Sequence, residues 1–161
     1  MTGVQTCALP ILRGRELSGS TVGLIGCGNI GREVAKRLLA LGAHVIVHDD
    51  QLQDTTFLQS YDVPRVPLDK LLKESDAISL HCPVTKETYH MIDSGAINIM
   101  RDGAYLVNTS RGELVDEDAL YDALKSGKLS GAAQDVFSQE PPEPGCKLLE
   151  LENFIDRKSV V

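Results

Sequence analysis

At 161 residues and 42% hydrophobic, the chain is long enough to bury one core and build one domain. A formal charge of −7 argues against nucleic acid or an anionic membrane as a main partner, and no apolar run is long enough to span a bilayer. No charged-then-apolar leader is present either, so the expected setting is the cytoplasm.

Short apolar runs alternate with amphipathic stretches. Residues 21–26, TVGLIG, are β-branched and apolar and predict a strand ending in glycine. A helix is predicted over 29–41, where Ile30, Val34, Leu38 and Leu41 recur at helical spacing and Gly42 stops it. HVIVHD at 44–49 predicts a second strand, a weak helix follows near 54–60, and VPRV at 63–66 predicts a short strand. The helical stretch 68–75 keeps Leu68, Leu71 and Leu72 on one face, and AISLHC at 77–82 is a strand closed by Pro83. Residues 94–100 predict a helix and 104–110 a strand. In the helix predicted over 116–127, acids fill the first turn, Lys125 lies in the last and Gly127 follows. The last clear strand is 130–137, and the Pro-rich 140–145 reads as an exit linker. Strands this apolar are covered on both faces, and their alternation with helices predicts an α/β fold, a doubly wound parallel sheet.

LIGCGNIGREV carries G-x-G-x-x-G at Gly26, Gly28 and Gly31. Glycine-rich turns are common, but this one follows a strand, opens a helix and has an acid behind the next strand, as a dinucleotide site requires. Gly26 permits the tight turn, Gly28 lets the backbone approach a pyrophosphate, and Gly31 lets helix and strand pack closely. Unpaired N–H groups at the helix start face the phosphates. Asp49, 18 residues after Gly31, can accept both ribose hydroxyls and repel a 2′-phosphate, which favours NAD over NADP; Asp50 competes for the role.

In such sheets ligands sit at the carboxyl ends of the strands. These ends present Cys82 and Pro83, then Thr109, Ser110 and Arg111, then Asp135 with Glu140 five residues on. A guanidinium just past a buried strand can grip a carboxylate through two parallel hydrogen bonds, or it can pair with Glu113 or Asp116. Glu140 also has the bland reading of a loop acid before prolines. Asp135, set on an apolar strand, needs a partner, for which a nicotinamide carboxamide is a candidate, while Gln134 in the same strand has no account. His44, His48, His81 and His90 read as core or edge residues rather than catalysts. Cys7, Cys27, Cys82 and Cys146 form no C-x-x-C pair and no metal-ligand spacing, so reduced thiols and no metal are expected.

The glycine motif with HDD, LHCPVTKETYHMI, VNTSRGELVDEDAL and GAAQDVFSQEPP together resemble the D-isomer-specific 2-hydroxyacid dehydrogenases, over residues 12–155. The resemblance implies hydride transfer between NAD and C2 of a small 2-hydroxy or 2-keto acid, in a protein that forms a homodimer. It implies that Arg111 holds the substrate and that Glu140 orients a catalytic histidine. It places Asn29 and Ile30 at the pyrophosphate, Asp49 at the ribose, Cys82 by the adenine and Thr109, Ser110 and Asp135 at the nicotinamide. His48 stands where the family often has Tyr, and Ser138 where it often has an acid.

The family's histidine follows a strand after LLELENFI, whereas this chain reads DRKSVV there and stops. Residues 2–11 are what ACTGGAGTTCAGACGTGTGCTCTTCCGATC would encode and residues 156–161 what GATCGGAAGAGCGTCGTG would encode, both strings resembling sequencing-adapter DNA. The expected organisation is therefore a foreign segment at 1–11, an NAD-binding domain at 12–155 without its substrate domain, and a foreign segment at 156–161. Such a piece is expected to bind NAD without turnover. The rival readings are an NAD-sensing corepressor module, in which the same fold controls assembly, and a formate or alanine dehydrogenase relative.

Overall fold

The computed structural model describes residues 16–143 and 145–156. Expectations that rest on residues 1–11 and 157–161, Cys7 included, lie outside the described residues. Six parallel strands form one sheet: β1 (Thr21–Ile25), β2 (His44–His48), β3 (Ala77–Leu80), β4 (Ala104–Asn108), β5 (Leu129–Gln134) and β6 (Phe154–Asp156). Their order is β2-β1-β3-β4-β5-β6, so the chain reverses its direction of growth between β1 and β3. That reversal opens a crevice at the carboxyl ends of those two strands.

Five α-helices make most of the crossings: α1 (Asn29–Ala40), α2 (Thr56–Ser60), α3 (Leu68–Glu74), α4 (Ser94–Ile99) and α5 (Glu117–Ser126). The strands' period of two splits the core in two. Val22, Leu24, Val45 and Val47 turn to one face, where Ala35 of α1 and Phe57 and Leu58 of α2 meet them. Ile25, Ile78, Leu80, Leu106 and Ala132 turn to the other, against Leu71 and Leu72 of α3, Ile97 of α4 and Leu120 and Leu124 of α5. Gly23 is a required small residue there, because a Cβ would lie 2.5 Å from Leu71.

Among the described residues, the first face is not covered throughout. Helices α1 and α2 lie over β1 and β2, while Tyr105 and Val107 of β4, Ala133 of β5 and Ile155 of β6 line an open groove of ≈ 460 Å³.

Three expectations need correction. Residues 63–66 form no strand; they make a single bridge, Val47 to Arg65, along the free edge of β2. The strand predicted over 130–137 spans Leu129–Gln134, so Asp135 lies in the loop beyond it. The segment 140–145 is not an exit, because the chain continues through a 3₁₀ turn, Lys147–Glu150, and returns to pair β6 with β5 in parallel. Asp156, which falls in the terminal segment set apart above, completes β6 and is buried opposite Gln134.

Candidate functional site

The loops that leave β2, β1, β3, β4 and β5 lie side by side along the carboxyl edge of the sheet, and backbone contacts lock them together. After β1 the chain turns at Gly26 with φ +99, a conformation an L side chain resists. A Cβ at Gly26 would meet the His81 carbonyl at 2.6 Å, and one at Gly31 would run into the Gly26 carbonyl. At Gly28 a Cβ would meet nothing within 4 Å. The first two glycines therefore answer to the protein's own packing, whereas Gly28 faces free space.

That space lies over the start of α1. Gly28 is the N-cap of this helix and provides no side-chain cap, so the first-turn N–H groups lack intrahelical partners. Asn29 and Ile30 are exposed beside it, Ile30 at 70%. An anion set against these groups would meet aligned N–H donors and the positive end of the helix dipole, so the residues present fit a pyrophosphate.

Asp49 is more than a solvated strand-end acid. Its Oδ2 accepts from the Cys27 N–H at 2.7 Å and its Oδ1 from the Gln51 N–H at 3.0 Å, which fastens the glycine loop to the end of β2. Asp50 does not share this place; it is exposed and faces His48 and Arg65. Between the two loops lies a cleft of ≈ 350 Å³, lined by Gly26, Gly28, Asp49, His81, Cys82 and Pro83 among others. Its walls are mostly apolar, as a flat aromatic base requires.

His81 proves to be a wall of this cleft rather than a core residue. Burial pushes its imidazole below the usual range, and its Nε2 lies 3.0 Å from Ser79 Oγ. Burial likewise raises the Cys27 and Cys82 thiols, and Cys82 Sγ packs on Met91 Sδ at 3.8 Å. Cys27, Cys82 and Cys146 are all free, and no group of side chains suited to a metal occurs among the described residues.

The loop after β4 is shaped by Asn108, a residue the sequence reading passed over. Asn108 is fully buried; its Nδ2 donates to the Arg111 carbonyl at 2.8 Å and its Oδ1 accepts from the Ser110 N–H at 3.1 Å. Ser110 Oγ ties this loop to β3 by donating to the Leu80 carbonyl at 2.8 Å. Thr109 and Arg111 are left exposed at the edge. Arg111 does not pair with Glu113 or Asp116: its Nη1 donates to the Ser110 carbonyl at 2.7 Å, and it makes no ion pair among the described residues.

Gly112 is the second missed residue. A Cβ there would collide with Phe137 and Ser138, so the Arg111 loop lies directly on the loop after β5. In that loop the Asp135 N–H donates to the Asn108 carbonyl at 3.1 Å, and Glu140 Oε1 accepts from the Phe137 N–H at 3.2 Å. Both signals were in the sequence: an Asn ending a strand before Thr-Ser favours a side-chain-built turn, and a Gly after the Arg permits close approach.

Residues 6–156 match the family described as D-isomer specific 2-hydroxyacid dehydrogenase, NAD binding domain. Hydroxypyruvate reductase of Thermotoga maritima is 50% identical over 146 residues, which cover 89% of this chain and 46% of that protein. The structure of D-lactate dehydrogenase from Aquifex aeolicus, complexed with NAD and lactic acid, superposes with a TM-score of 0.81 at 43% identity, over 89% of this chain and 47% of that one. A formate dehydrogenase from Granulicella reaches a TM-score of 0.85 at 28% identity, over 89% of this chain and 39% of that one. This chain thus spans less than half the length of these relatives. With a glycine cradle, a strand-end carboxylate and a flat apolar cleft at the switch point of its sheet, the chain belongs to the D-isomer-specific 2-hydroxyacid dehydrogenases, as an NAD-binding domain of that family.

Proposed function

We propose that this domain serves a protein that interconverts a D-2-hydroxy acid and its 2-keto acid, and that NAD lies across the carboxyl edge of the sheet from Asp49 to Asp135. Bound NAD supplies the hydride acceptor or donor. The observation that carries the reading is the open space over Gly28, set between an uncapped helix start and a carboxylate that clamps the same loop. Gly26, Gly28, Asn29, Ile30 and Gly31 bind the pyrophosphate through backbone N–H groups. Asp49 takes the ribose hydroxyls with the lone pairs its backbone donors leave free, and Cys82 and Pro83 flank the adenine. Thr109, Ser110 and Asp135 form the shelf for the nicotinamide end.

Arg111 provides the substrate contact. Its guanidinium is exposed and its backbone is pinned by Asn108, so it can grip a carboxylate and polarise the neighbouring carbonyl without moving the loop. Glu140 orients a histidine that the rest of the parent protein contributes, and that pair moves the proton at the substrate oxygen. None of the four histidines of this chain follows Glu140, so the 161-residue chain binds cofactor without turnover. The parent is proposed as a homodimer. Free thiols support a reducing, cytoplasmic setting. Residues 12–155 are proposed as the native domain, and sequencing across the source locus tests the origin of the flanking segments.

Titrating NADH into the purified chain tests the function directly. Saturable fluorescence enhancement with no oxidation of D-2-hydroxy acids is expected. Turnover at ordinary enzyme rates, or no binding by a folded sample, would overturn the reading.

A further inference from the structure

Arg32 lies in the first turn of α1 but does not line the cofactor cleft. Its Nε donates to the Cys27 carbonyl in the glycine loop at 3.1 Å. From the far edge of the guanidinium, Nη2 donates to the Asp54 carbonyl at 3.0 Å and Nη1 to Asp54 Oδ2 at 3.4 Å. Its Cζ stands 5.9 Å from the centroid of the Phe57 ring, which is itself fixed in the core. Asp54 is held in turn by the Thr56 N–H, which donates to Oδ1 at 3.0 Å. The guanidinium therefore joins the glycine loop to the start of α2. The partly exposed ion pair with Asp54 is weak on its own. The bond to the Cys27 carbonyl has the larger consequence, because Asp49 already holds the Cys27 N–H at 2.7 Å and both polar backbone groups of this residue are then fixed.

We propose that Arg32 is a positioning residue for the cofactor: it locks the Cys27–Gly28 peptide in the orientation that presents the Gly28 N–H to the pyrophosphate, and it does so by the shape of its guanidinium rather than by its charge. The proposal rests on the pyrophosphate reading above. The Cys27–Gly28 bond is trans, and in a planar trans peptide the C=O and the following N–H point in opposite directions. With the Cys27 carbonyl drawn to Arg32, the Gly28 N–H is turned away from the guanidinium, and it makes no hydrogen bond among the described residues. Gly28 is also the loop glycine over which a Cβ would meet no protein atom. Such a peptide needs a lock. Gly28 has φ −72, and a flip of the peptide would carry that angle into the positive region, which glycine enters freely. The flipped peptide would set a carbonyl oxygen against the phosphates in place of a donor. Lysine at this position keeps the charge, but its single rotating head cannot hold the Cys27 carbonyl and Asp54 together as the planar fork does.

The experiment titrates NADH by fluorescence into the wild-type chain, Arg32→Lys and Arg32→Met, and follows the backbone amides of each complex by NMR up to saturation. Both variants are expected to bind NADH about tenfold more weakly, and equally so, the loss of one charge-assisted hydrogen bond. In the wild-type chain the Gly28 amide proton should move downfield on binding. In the saturated variants that displacement should vanish, while the Gln51 amide at the other end of the cleft still responds. A Gly28 amide that NADH leaves unmoved in the wild-type chain overturns this proposal alone, and that measurement needs no variant to fold. So does wild-type affinity in Arg32→Lys, which would make the charge sufficient, or a Gly28 displacement that persists without Arg32. A folded wild-type chain that binds no NADH overturns the pyrophosphate reading and this proposal with it.

Discussion

The three glycines of the phosphate loop look alike in the sequence and do different work. Gly26 is required by its positive φ and by the His81 backbone, so Gly26→Ala is expected to cost about 1–3 kcal/mol of stability, measurable by urea unfolding. Gly28→Val should leave stability within about 0.5 kcal/mol, because no protein atom is in the way, yet weaken NADH binding by about tenfold or more. If both variants lost stability alike, the open space over Gly28 would not be a ligand cradle. His81 carries a second prediction. Burial depresses its folded-state pKa, so the unfolded chain takes up the proton first as pH falls. The stability this group contributes is present above the ordinary imidazole value of ~6.5 and is lost as pH drops through it towards the folded value. Thermal melts from pH 8 to pH 5 should fall less steeply in His81→Phe than in wild type. At this scale the motif glycines and Asp49 were legible because their spacing is dictated by the chain itself. Asn108 carried a local turn signal that went unread, whereas the contact that makes Gly112 necessary and the cleft position of His81 depend on loops distant in sequence.

The helices differ in how their first turns are satisfied, and α1, α2 and α3 all lack a side-chain N-cap. Asp93 caps α4 by accepting from the Ala96 N–H at 2.8 Å, and Asp116 caps α5 by accepting from the Asp118 and Ala119 N–H groups at 3.1 Å. The site helix α1 has no such acceptor. Asp116→Ala is expected to cost about 1 kcal/mol with NADH affinity unaltered, read by urea midpoint and fluorescence titration. Helix α5 was legible from its acidic first turn, Lys125 and Gly127, which takes φ +77 at the C-cap. Strand ends were less so. Apolar residues recur after Leu129 as far as Val136 and Phe137, but Phe137 packs into the core from a loop rather than from β5. Proline content predicted an irregular backbone at 140–145 and could not show that the chain turns back towards β6.

The parallel sheet and its doubly wound character were legible at the scale of the whole molecule, because strand and helix patterns alternate along the chain. Its coverage was not. Crossovers between parallel strands are right-handed, so every connection that steps outward from β3 to β6 runs over one face, and only the step from β1 to β2 puts a long helix on the other. None of these outward steps can roof the groove of Tyr105, Val107, Ala133 and Ile155. Ile155 stands there 67% exposed, on a chain with a formal charge of −7. The domain on its own is therefore expected to associate through this plate once its mutual charge repulsion is screened. Raising NaCl from 0.1 to 1 M shortens the screening length from about 10 to about 3 Å, and light scattering should rise with it. Replacing Val107 and Ile155 together by Glu should flatten that salt response, since the same plate would then repel at contact.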